Sequence, residues 1–391
     1  MKKNHSIYYL IIIIIASSCS SDSEKNSLPY IDISKDYPEK EILLTDIADI
    51  TYLCLDSDNN DFLFSGSVNC VTKNTIIVHD YTSGNILFFS KDGRPKSRFN
   101  RKGEGPEEYQ RAGKVFYDEE VDDVFIYIPL GRFIQVYSYT GEHKRKINFP
   151  EKTIINGLIS YDDKSFLLYD ANMHVKKVMG EEELPAEFID STFIRISKTN
   201  GEVLDYVALT NNRIILKDDS QGMSIHGLCT RMIKHNEGIL LCNPETDTVF
   251  LYNKDKALTP VICKQPLVGA TDPMVYLNNC IEVDDYQFME VFTARWEEGA
   301  SPFPAKYYMR DKKTGEIFLQ KFLLPDYKGK KFIFSPRRTF GDNEYGYYFE
   351  LELVELMQAY KENRLSGKLK ELAASLNEEN DNNVIMFVNF K

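Results

Sequence analysis

A strand and turn unit that recurs along the chain restricts the fold more than any other feature of the sequence. Each copy has an apolar strand, a short break, a second apolar strand and a polar turn. The turns lie at Gly93, Gly141, Gly201 and Gly315, with a degenerate copy at Lys256, and successive turns are 48 to 60 residues apart. Glycine suits the positive φ that such hairpin turns require. Repeats built from short strands are typical of β-propellers, although these are slightly longer than the usual blade of about 40 to 50 residues.

The number of repeats indicates the number of blades. A second series of apolar strands runs ahead of the turns, and it has six members, at residues 75–78, 124–128, 166–169, 239–242, 288–292 and 345–349. The chain contains 24 Tyr and 24 Phe but one Trp, and such flat side chains suit pleated, half-buried strands. We therefore predict an all-β protein with the fold of a six-bladed β-propeller.

Two regions near the C-terminus depart from the repeat. Between residues 351 and 378 the apolar period changes from two to about 3.6, which predicts two short helices separated at Gly367. The final apolar run, residues 384–390, again has the pattern of a strand. We predict that it pairs with an N-terminal strand at residues 50–55 and so closes the ring.

The N-terminus has the features of a bacterial lipoprotein signal peptide. Lys2 and Lys3 precede an apolar run at residues 7–15, and small residues at 16–18 lead to Cys19. The run is shorter than the roughly 20 apolar residues that a membrane-spanning helix needs. We predict that cleavage leaves an acylated Cys19 as the first residue of the mature protein. Ordinary secretion without lipidation is the alternative.

Net charge limits the possible partners. The chain has a formal net charge of -12, and an acidic surface repels phosphate backbones and anionic lipid headgroups. We therefore expect no nucleic-acid partner. Membrane attachment is expected through the acylated N-terminus, because acyl chains hold a protein to a bilayer without any help from charge.

The cysteines leave two possibilities open. Six follow the proposed lipidation site, at Cys54, Cys70, Cys229, Cys242, Cys263 and Cys280. An oxidising envelope permits disulfides, but the sequence cannot choose among the many pairings of six cysteines. Several of them lie inside apolar strands, where buried thiols without disulfides are the simpler expectation.

One loop resembles a known family. Residues 102–109, with the sequence Lys-Gly-Glu-Gly-Pro-Glu-Glu-Tyr, resemble the Gly-x-Gly-Pro-x-Glu-Tyr signature of the six-bladed β-propeller lipoproteins common in Bacteroidetes. Residues 44–55, 247–250 and 372–384 are also similar to that family, so the resemblance extends over nearly the whole mature chain. Cys54 and Asn383 depart from the family pattern without threatening the fold. The resemblance implies an architecture and a compartment, and it transfers no catalytic residue.

These features divide the chain into three parts. We predict a signal peptide at residues 1–18, a lipid-anchored tether at 19–40, and a propeller at 41–391 that includes the helical segment 351–378. The protein is then an outer-membrane lipoprotein of the cell envelope. Residues 20–24 resemble the acidic surface-export signals of Bacteroidetes lipoproteins, but the side of the membrane stays open.

The signature loop and its basic surroundings form the first candidate binding site. Arginine and lysine in an acidic chain would bind an acidic sugar or the carboxylates of a partner. The alternatives are a purely structural loop, in which Tyr109 fills the space between blades, and solvated charge. The candidate ligand-binding residues are Arg101, Lys102, Glu104, Glu108, Tyr109 and Arg111, within a basic island that also includes Arg94, Lys96, Arg98 and Lys114.

A second candidate site surrounds the single tryptophan. Arg295 and Trp296 lie between two predicted strands, and an exposed indole face stacks on sugar rings or cations. The neighbouring Glu297 and Glu298 would suit acid/base chemistry if their environments differed. Ordinary packing of the loop is the alternative.

The sequence lacks the motifs of common catalytic and metal centres. It has no His-Glu-x-x-His, Gly-x-Ser-x-Gly or Walker pattern, and we predict no catalytic residue, metal or cofactor. We expect a propeller that binds a glycan, peptide or protein partner without catalysis. One alternative is a hydrolase or lyase that acts on polysaccharide or peptide with the loop acids near the propeller axis. Another is a subunit of an envelope complex that docks a neighbour through the C-terminal helices.

Overall fold

Six small β-sheets surround one axis, as the predicted six-bladed β-propeller requires. The computed structural model describes residues 28–58, 60–129, 131–151, 153, 155–170, 193–207, 209, 232–242, 246–295, 304–342 and 345–391. The first strands of several neighbouring blades contact one another, so these strands line the axis. The prediction of fold class is therefore confirmed.

The strands are numbered along the chain, and the first three blades each use four consecutive strands. Before them come β1 (Tyr30–Asp32), β2 (Glu39–Leu43) and β3 (Ala48–Cys54). The first blade contains β4 (Gly66–Val71), β5 (Thr75–Asp80), β6 (Ile86–Ser90) and β7 (Pro95–Phe99). The second contains β8 (Val115–Asp118), β9 (Asp123–Ile128), β10 (Phe133–Tyr137) and β11 (His143–Asn148). The third contains β12 (Ile155–Ser160), β13 (Ser165–Asp170), β14 (Phe193–Ser197) and β15 (Val203–Val207).

The remaining blades include strands from the chain ends. The fourth contains β16 (Met232–His235), β17 (Gly238–Cys242), β18 (Thr248–Asn253) and β19 (Leu258–Gln265). The fifth contains β20 (Val275–Glu282), β21 (Tyr286–Thr293), β22 (Ala305–Asp311) and β23 (Ile317–Leu324), and β24 (Tyr327–Phe332) pairs with β23. The sixth contains β25 (Phe340–Asp342), β26 (Gly346–Leu351), β27 (Val384–Phe390) and β3.

The sixth blade joins the two ends of the chain. β27 pairs with β3 in antiparallel register, with Met386 opposite Tyr52. This is the predicted closure of the ring by the C-terminal strand. The pairing satisfies the backbone N–H and C=O groups on the facing edges of β27 and β3. Unpaired strand edges would otherwise promote aggregation.

Two short N-terminal strands extend the outer edges of other blades. β1 adds in parallel to β19, with Tyr30 opposite Cys263, and β2 adds in parallel to β23, with Glu39 opposite Leu319. The predicted tether at residues 19–40 therefore differs from the structure at its end, where residues 30–32 and 39–40 belong to the sheets. The outer strand of a blade leaves backbone N–H and C=O groups unpaired, and an extended polar segment can pair with them.

The predicted hairpin turns lie between the third and fourth strands of their blades. Gly93, Gly141, Gly201 and Gly315 have φ angles between 76° and 86°, and Lys256 has a φ of 63°. A positive φ is easily adopted by glycine, which explains why glycine recurs at this place in the repeat.

The connections are of two kinds, and they divide the propeller into two faces. Because strands alternate in direction within a blade, connections from first to second and from third to fourth strand lie on one face. These connections have at most five residues. The opposite face has the connections from second to third strand and those between blades, and they range from 4 to 32 residues. We call it the long-loop face; long connections on a rigid scaffold are the usual place for binding residues.

The apolar core consists of layers between adjacent blades. In one layer, Ile77 and Phe88 of the first blade pack in one cluster with Val124, Ile126 and Tyr137 of the second. The second strands are covered on both sides, so every residue of β5 is buried, whereas β7 at the rim alternates between covered and exposed residues. The second and third strands of this blade are therefore the apolar runs of the repeat, whereas the fourth strand has polar residues at its exposed positions.

Short helices accompany the strands. They are α1 (Leu44–Ile47), a 3₁₀ helix (Val268–Ala270), α2 (Leu353–Lys361) and α3 (Gly367–Ser375). The last two confirm the helices predicted between residues 351 and 378. Their apolar residues, Leu356, Ala359, Leu369 and Ala373, are buried in the core cluster of this chain. These faces are therefore covered by the protein's own propeller. Within the described ranges, no helix has the length and apolarity to cross a membrane.

Five of the cysteines lie in the part of the chain that the structure describes. There, Cys54, Cys70, Cys242, Cys263 and Cys280 have thiol side chains and form no disulfide. Burial raises the pKa of Cys280 well above its usual value, so this thiol stays protonated. Cys19 and Cys229 lie outside the described residues.

Candidate functional site

The signature loop folds back on itself between the first two blades. It connects β7 to β8, and its backbone is closed by hydrogen bonds from Tyr109 N to Arg101 O (3.0 Å) and from Gly103 N to Tyr109 O (3.2 Å). The Glu108 carboxylate accepts a hydrogen bond from Gly105 N at 2.8 Å. A Cβ atom on Gly103 would lie 1.9 Å from that carboxylate. The glycines and the glutamate of the signature therefore form one self-supporting turn.

Tyr109 fastens this turn to the neighbouring connection. Its side chain is 1 % exposed, and its hydroxyl donates to Gly84 O at 2.8 Å and accepts from Arg101 N at 3.1 Å. The ring packs edge to face against Tyr137 of the second blade. Burial raises the pKa of Tyr109 to about 12, which keeps the phenol protonated. Tyr109 thus fills the space between blades, as the structural alternative anticipated.

The acids of the loop lie over the outer half of the second blade. Gln135 in β10 donates to Pro106 O at 2.9 Å, and Tyr137 in the same strand donates to Glu107 O at 2.7 Å. These bonds hold the Glu108 turn against the third strand, whereas the first strands line the axis. This anchoring gives no support to the alternative in which Glu108 lies near the axis, because the turn is held by the third strand of the blade. Glu104 is exposed in the same turn.

The basic island does not act as one patch. Arg94 and Asp92 form an ion pair on the opposite face, and Arg98 pairs with Asp61 at 3.0 Å. Arg101 Nε donates to Gly141 O at 2.8 Å, so this guanidinium ties the loop to the second blade. The folded structure therefore divides residues that are neighbours in the sequence.

A cavity of about 760 Å³ opens beside the loop on the long-loop face. Its walls come from the connection between β5 and β6, from the signature loop, and from the end of β9. The lining residues are His79, Tyr81, Gly84, Lys102, Tyr109, Gln110, Arg111, Ala112, Gly113 and Pro129. Three of the predicted site residues, Lys102, Tyr109 and Arg111, are thus brought together at one cavity.

Two polar groups at this cavity lack partners within the described ranges. His79 is 4 % exposed, and its Nδ1 atom is buried without a hydrogen bond. Burial lowers the pKa of His79 to about 4, with an opposing effect from Asp80, so the ring is neutral near pH 7. Arg111 is exposed and makes no hydrogen bond or ion pair with the rest of the described chain. Arg111 is able to bind a ligand without breaking an existing contact, and His79 adds a neutral ring to the cavity wall.

The walls of the cavity are held in place by their own hydrogen bonds. Asp80 accepts from Thr82 N at 2.9 Å and from Ser83 Oγ at 2.7 Å, which fixes the turn that presents Tyr81. Lys102 Nζ donates to Thr82 O at 3.1 Å. A site with fixed walls loses little conformational entropy when a ligand binds.

The second candidate site lies on a different blade from the signature loop. Arg295 follows β21 in the fifth blade, and its backbone N donates to Thr293 O at 2.9 Å. Trp296, Glu297 and Glu298 lie outside the described residues. The structure therefore places Arg295 on a different blade from the other predicted site residues, and it does not bring it to the cavity.

His79, Tyr81 and Gln110 are cavity residues that the sequence analysis did not select. His79 follows three apolar residues in the strand Thr-Ile-Ile-Val-His-Asp, in which every residue is buried. A buried polar residue needs a hydrogen-bond partner. A histidine in a buried strand is therefore the sequence feature that could have indicated a functional residue here.

Comparison with known proteins identifies the family. The sequence model described as Domain of unknown function (DUF4934) matches residues 28–389. The chain belongs to this DUF4934 family. No curated protein sequence matches it.

Solved structures of other proteins are similar to this DUF4934 protein to different degrees. A Bacteroides fragilis protein described as exported is 15 % identical, with a TM-score of 0.60 over 93 % of this chain and 100 % of the other. A DUF4221 protein from Bacteroides vulgatus is 11 % identical, with a TM-score of 0.46 over 88 % and 97 %. Virginiamycin B lyase from Staphylococcus aureus is 11 % identical, with a TM-score of 0.38 over 71 % and 75 %.

The described part of this DUF4934 chain offers no preformed metal centre. No group of three or more His, Cys, Asp or Glu side chains within it is arranged to hold a metal ion. The cavity instead combines neutral hydrogen-bonding groups, an aromatic ring and two cations, which suits recognition of a polar ligand.

Proposed function

We propose that this protein is a lipid-anchored protein of the cell envelope that binds a ligand on its long-loop face without catalysis. The observation that supports the proposal is the cavity between the first and second blades. There, His79 has a buried nitrogen without a partner and Arg111 has an unengaged guanidinium. A ligand with a negatively charged group would pair with Arg111 without displacing an existing contact, beside the neutral ring of His79.

The sequence supports the anchor. Cys19 follows a basic start, an apolar run and small residues, and the family match begins at residue 28. Acylation of Cys19 would hold the propeller at the outer membrane. The Bacteroides fragilis protein of similar fold is described as exported, which is consistent with an envelope location.

The geometry gives less support to the two alternatives. A hydrolase or lyase would need acids that converge on a substrate, but Glu108 is engaged with Gly105 inside its own loop. An assembly subunit that docks through the C-terminal helices would need exposed apolar faces, but Leu356 and Leu369 are buried in the chain's own core. Binding through the cavity uses groups that are still available.

A binding and turnover assay tests the proposal. The mature protein is applied to an array of envelope glycans and peptides, beside the variants Arg111→Gln and Arg94→Gln. We expect retention of one ligand class by the wild type and by Arg94→Gln, whose side chain lies on the other face, and loss of retention by Arg111→Gln. Release of cleaved products would contradict binding without catalysis. Undiminished retention by Arg111→Gln would contradict the placement of the site.

A further inference from the structure

The charge of the cavity differs from that of the whole protein. Lys102 and Arg111 contribute two cations to its lining, and the lining includes no Asp or Glu. The chain as a whole has a net charge of -12. Asp80 is close by, but its carboxylate is engaged by the turn at Thr82 and Ser83. A cationic cavity in an acidic protein favours a ligand with negative charge.

The two cations differ in what they can offer. Lys102 already donates to Thr82 O, and its side chain lies over Gly84, where a Cβ would come within 2.7 Å of Lys102 Cδ. Arg111 has a planar guanidinium with no competing partner among the described residues. A guanidinium binds a carboxylate through two parallel hydrogen bonds. Arg111 is therefore the group that would recognise a carboxylate, with Lys102 adding charge.

The other lining groups suit hydroxyls and a sugar ring. The neutral imidazole of His79 has one donor and one acceptor nitrogen, and the Gln110 amide offers both kinds of group. The ring of Tyr81 is 54 % exposed and lies 4.8 Å from the His79 ring, centre to centre, in an edge-to-face contact. The hydroxyl of Tyr81 is held by Ser67 Oγ. A fixed and exposed aromatic face is a suitable surface for a pyranose ring.

We propose that this cavity binds an acidic saccharide, with the carboxylate of a uronic acid at Arg111 and Lys102 and its hydroxyls at His79 and Gln110. This inference rests on the proposed function and specifies its ligand. The volume of about 760 Å³ falls in the range of ligand pockets, roughly 300–1,000 Å³, and accommodates a short oligosaccharide. Ala112, Pro129 and the exposed Tyr81 ring give the lining an apolar part, which would pack against the apolar face of a sugar ring.

Calorimetric titration of the mature protein with two matched sugars tests the inference. The probes are digalacturonic acid and the neutral disaccharide of galactose, which differ in the carboxylates alone. We expect binding of the acid and weak or no binding of the neutral sugar. Arg111→Gln should weaken binding of the acid at least about tenfold, since a hydrogen bond to a charged group is worth about 1.5–3 kcal/mol. Arg94→Gln should leave it unchanged.

A second variant examines the hydroxyl contacts. His79→Phe keeps a flat ring but removes both nitrogens, and we expect it to weaken binding of the acid while thermal unfolding verifies that the propeller is intact. If His79→Phe fails to fold, His79→Gln replaces it, because the amide retains polar atoms in the buried strand. Arg111 is exposed, so its variant reports on binding without this complication.

The outcomes separate this inference from the proposed function. Equal affinity for the neutral and acidic sugars, or no binding of either sugar, would overturn the proposal that the ligand is an acidic saccharide. The proposal would also fall if Arg111→Gln bound the acidic sugar as tightly as the wild type does. If the array instead returned a peptide whose retention needs Arg111, the proposed function would stand and the inference about the saccharide would fall.

Discussion

The Lys264 ammonium group lies 2.9 Å from the Asp247 carboxylate, and their side chains are 0 % and 2 % exposed. Asp247 precedes β18 and Lys264 lies in β19, so the pair joins two strands of the fourth blade. The other Asp247 oxygen accepts a hydrogen bond from Val268 N at 2.8 Å. The pair therefore also fixes the start of the connection to the fifth blade.

Removing one charge of this pair should destabilise the protein strongly. Asp247→Asn leaves the Lys264 ammonium buried without a counterion among the described residues, and we expect a loss of about 3–5 kcal/mol in the free energy of unfolding. Asparagine tolerates the positive φ of 55° at this position, so the backbone adds little to the effect. Urea denaturation followed by circular dichroism measures it.

Two further variants control for the effect of charge itself. Asp92→Asn breaks the exposed pair with Arg94 and should hardly change the free energy of unfolding, because solvent screens an exposed pair. Asp247→Asn combined with Lys264→Met removes both buried charges and should recover part of the lost stability. A stability of Asp247→Asn equal to that of wild type would show that the pair does not have this role.

Asn382 should contribute to the closure of the ring. Its amide donates to Leu55 O at 2.9 Å and Phe62 O at 3.1 Å, and its oxygen accepts from Phe64 N at 3.1 Å. We expect Asn382→Ala to cost about 2–4 kcal/mol, because several buried backbone groups lose their partner. Amide hydrogen exchange at Phe64 should accelerate. Asn380→Ala, at an exposed position, should change neither quantity.

The sequence predicts the ring because its signals are local. The glycine turns recur with the repeat, and the apolar run at residues 384–390 has the pattern of a strand that can pair with β3. The predicted tether includes β1 and the first two residues of β2, because these segments are short and largely polar. Their strand conformation depends on the exposed edges of β19 and β23, and such tertiary pairing leaves no local pattern.

The candidate site was predictable only in part. The signature loop could be found from its residues, but the sequence does not show that Glu108 folds onto Gly105 while Arg111 stays unengaged. His79 was missed because a buried strand residue is usually part of the core. The cavity forms where the connection between β5 and β6 meets the signature loop. These two segments come together only when the blades fold, so the sequence does not show their contact.

Lipidation should depend on Cys19. We expect Cys19→Ser to abolish incorporation of a palmitate analogue and to move the protein from the detergent phase to the aqueous phase, because the acyl chains supply the membrane affinity. Ser20→Ala keeps the thiol and should behave as wild type. A lipid label on Cys19→Ser would show that another residue is acylated, and an unlabelled wild type would favour ordinary secretion.

Glu350 should make stability depend on pH. Its carboxylate lies in β26 of the sixth blade and accepts a hydrogen bond from Val68 N of the first blade at 2.8 Å. Burial raises the pKa of Glu350 from 4.5 to about 7, although the Val68 N–H acts in the opposite direction. The folded state therefore binds this proton more tightly than the unfolded state. The stability from protonated Glu350 is fully present below about pH 4.5 and is lost as the pH rises through about 7.

Glu350→Gln tests this dependence, because glutamine keeps the acceptor for Val68 N and cannot ionise. We expect the variant to exceed wild type in unfolding free energy by about 1–3 kcal/mol near pH 8, and to match it near pH 4.5. Glu316→Gln, at an exposed turn, should match wild type at both values. Urea denaturation at the two pH values measures the difference. An equal stability of Glu350→Gln and wild type near pH 8 would mean that the Glu350 carboxylate ionises in the folded protein without cost.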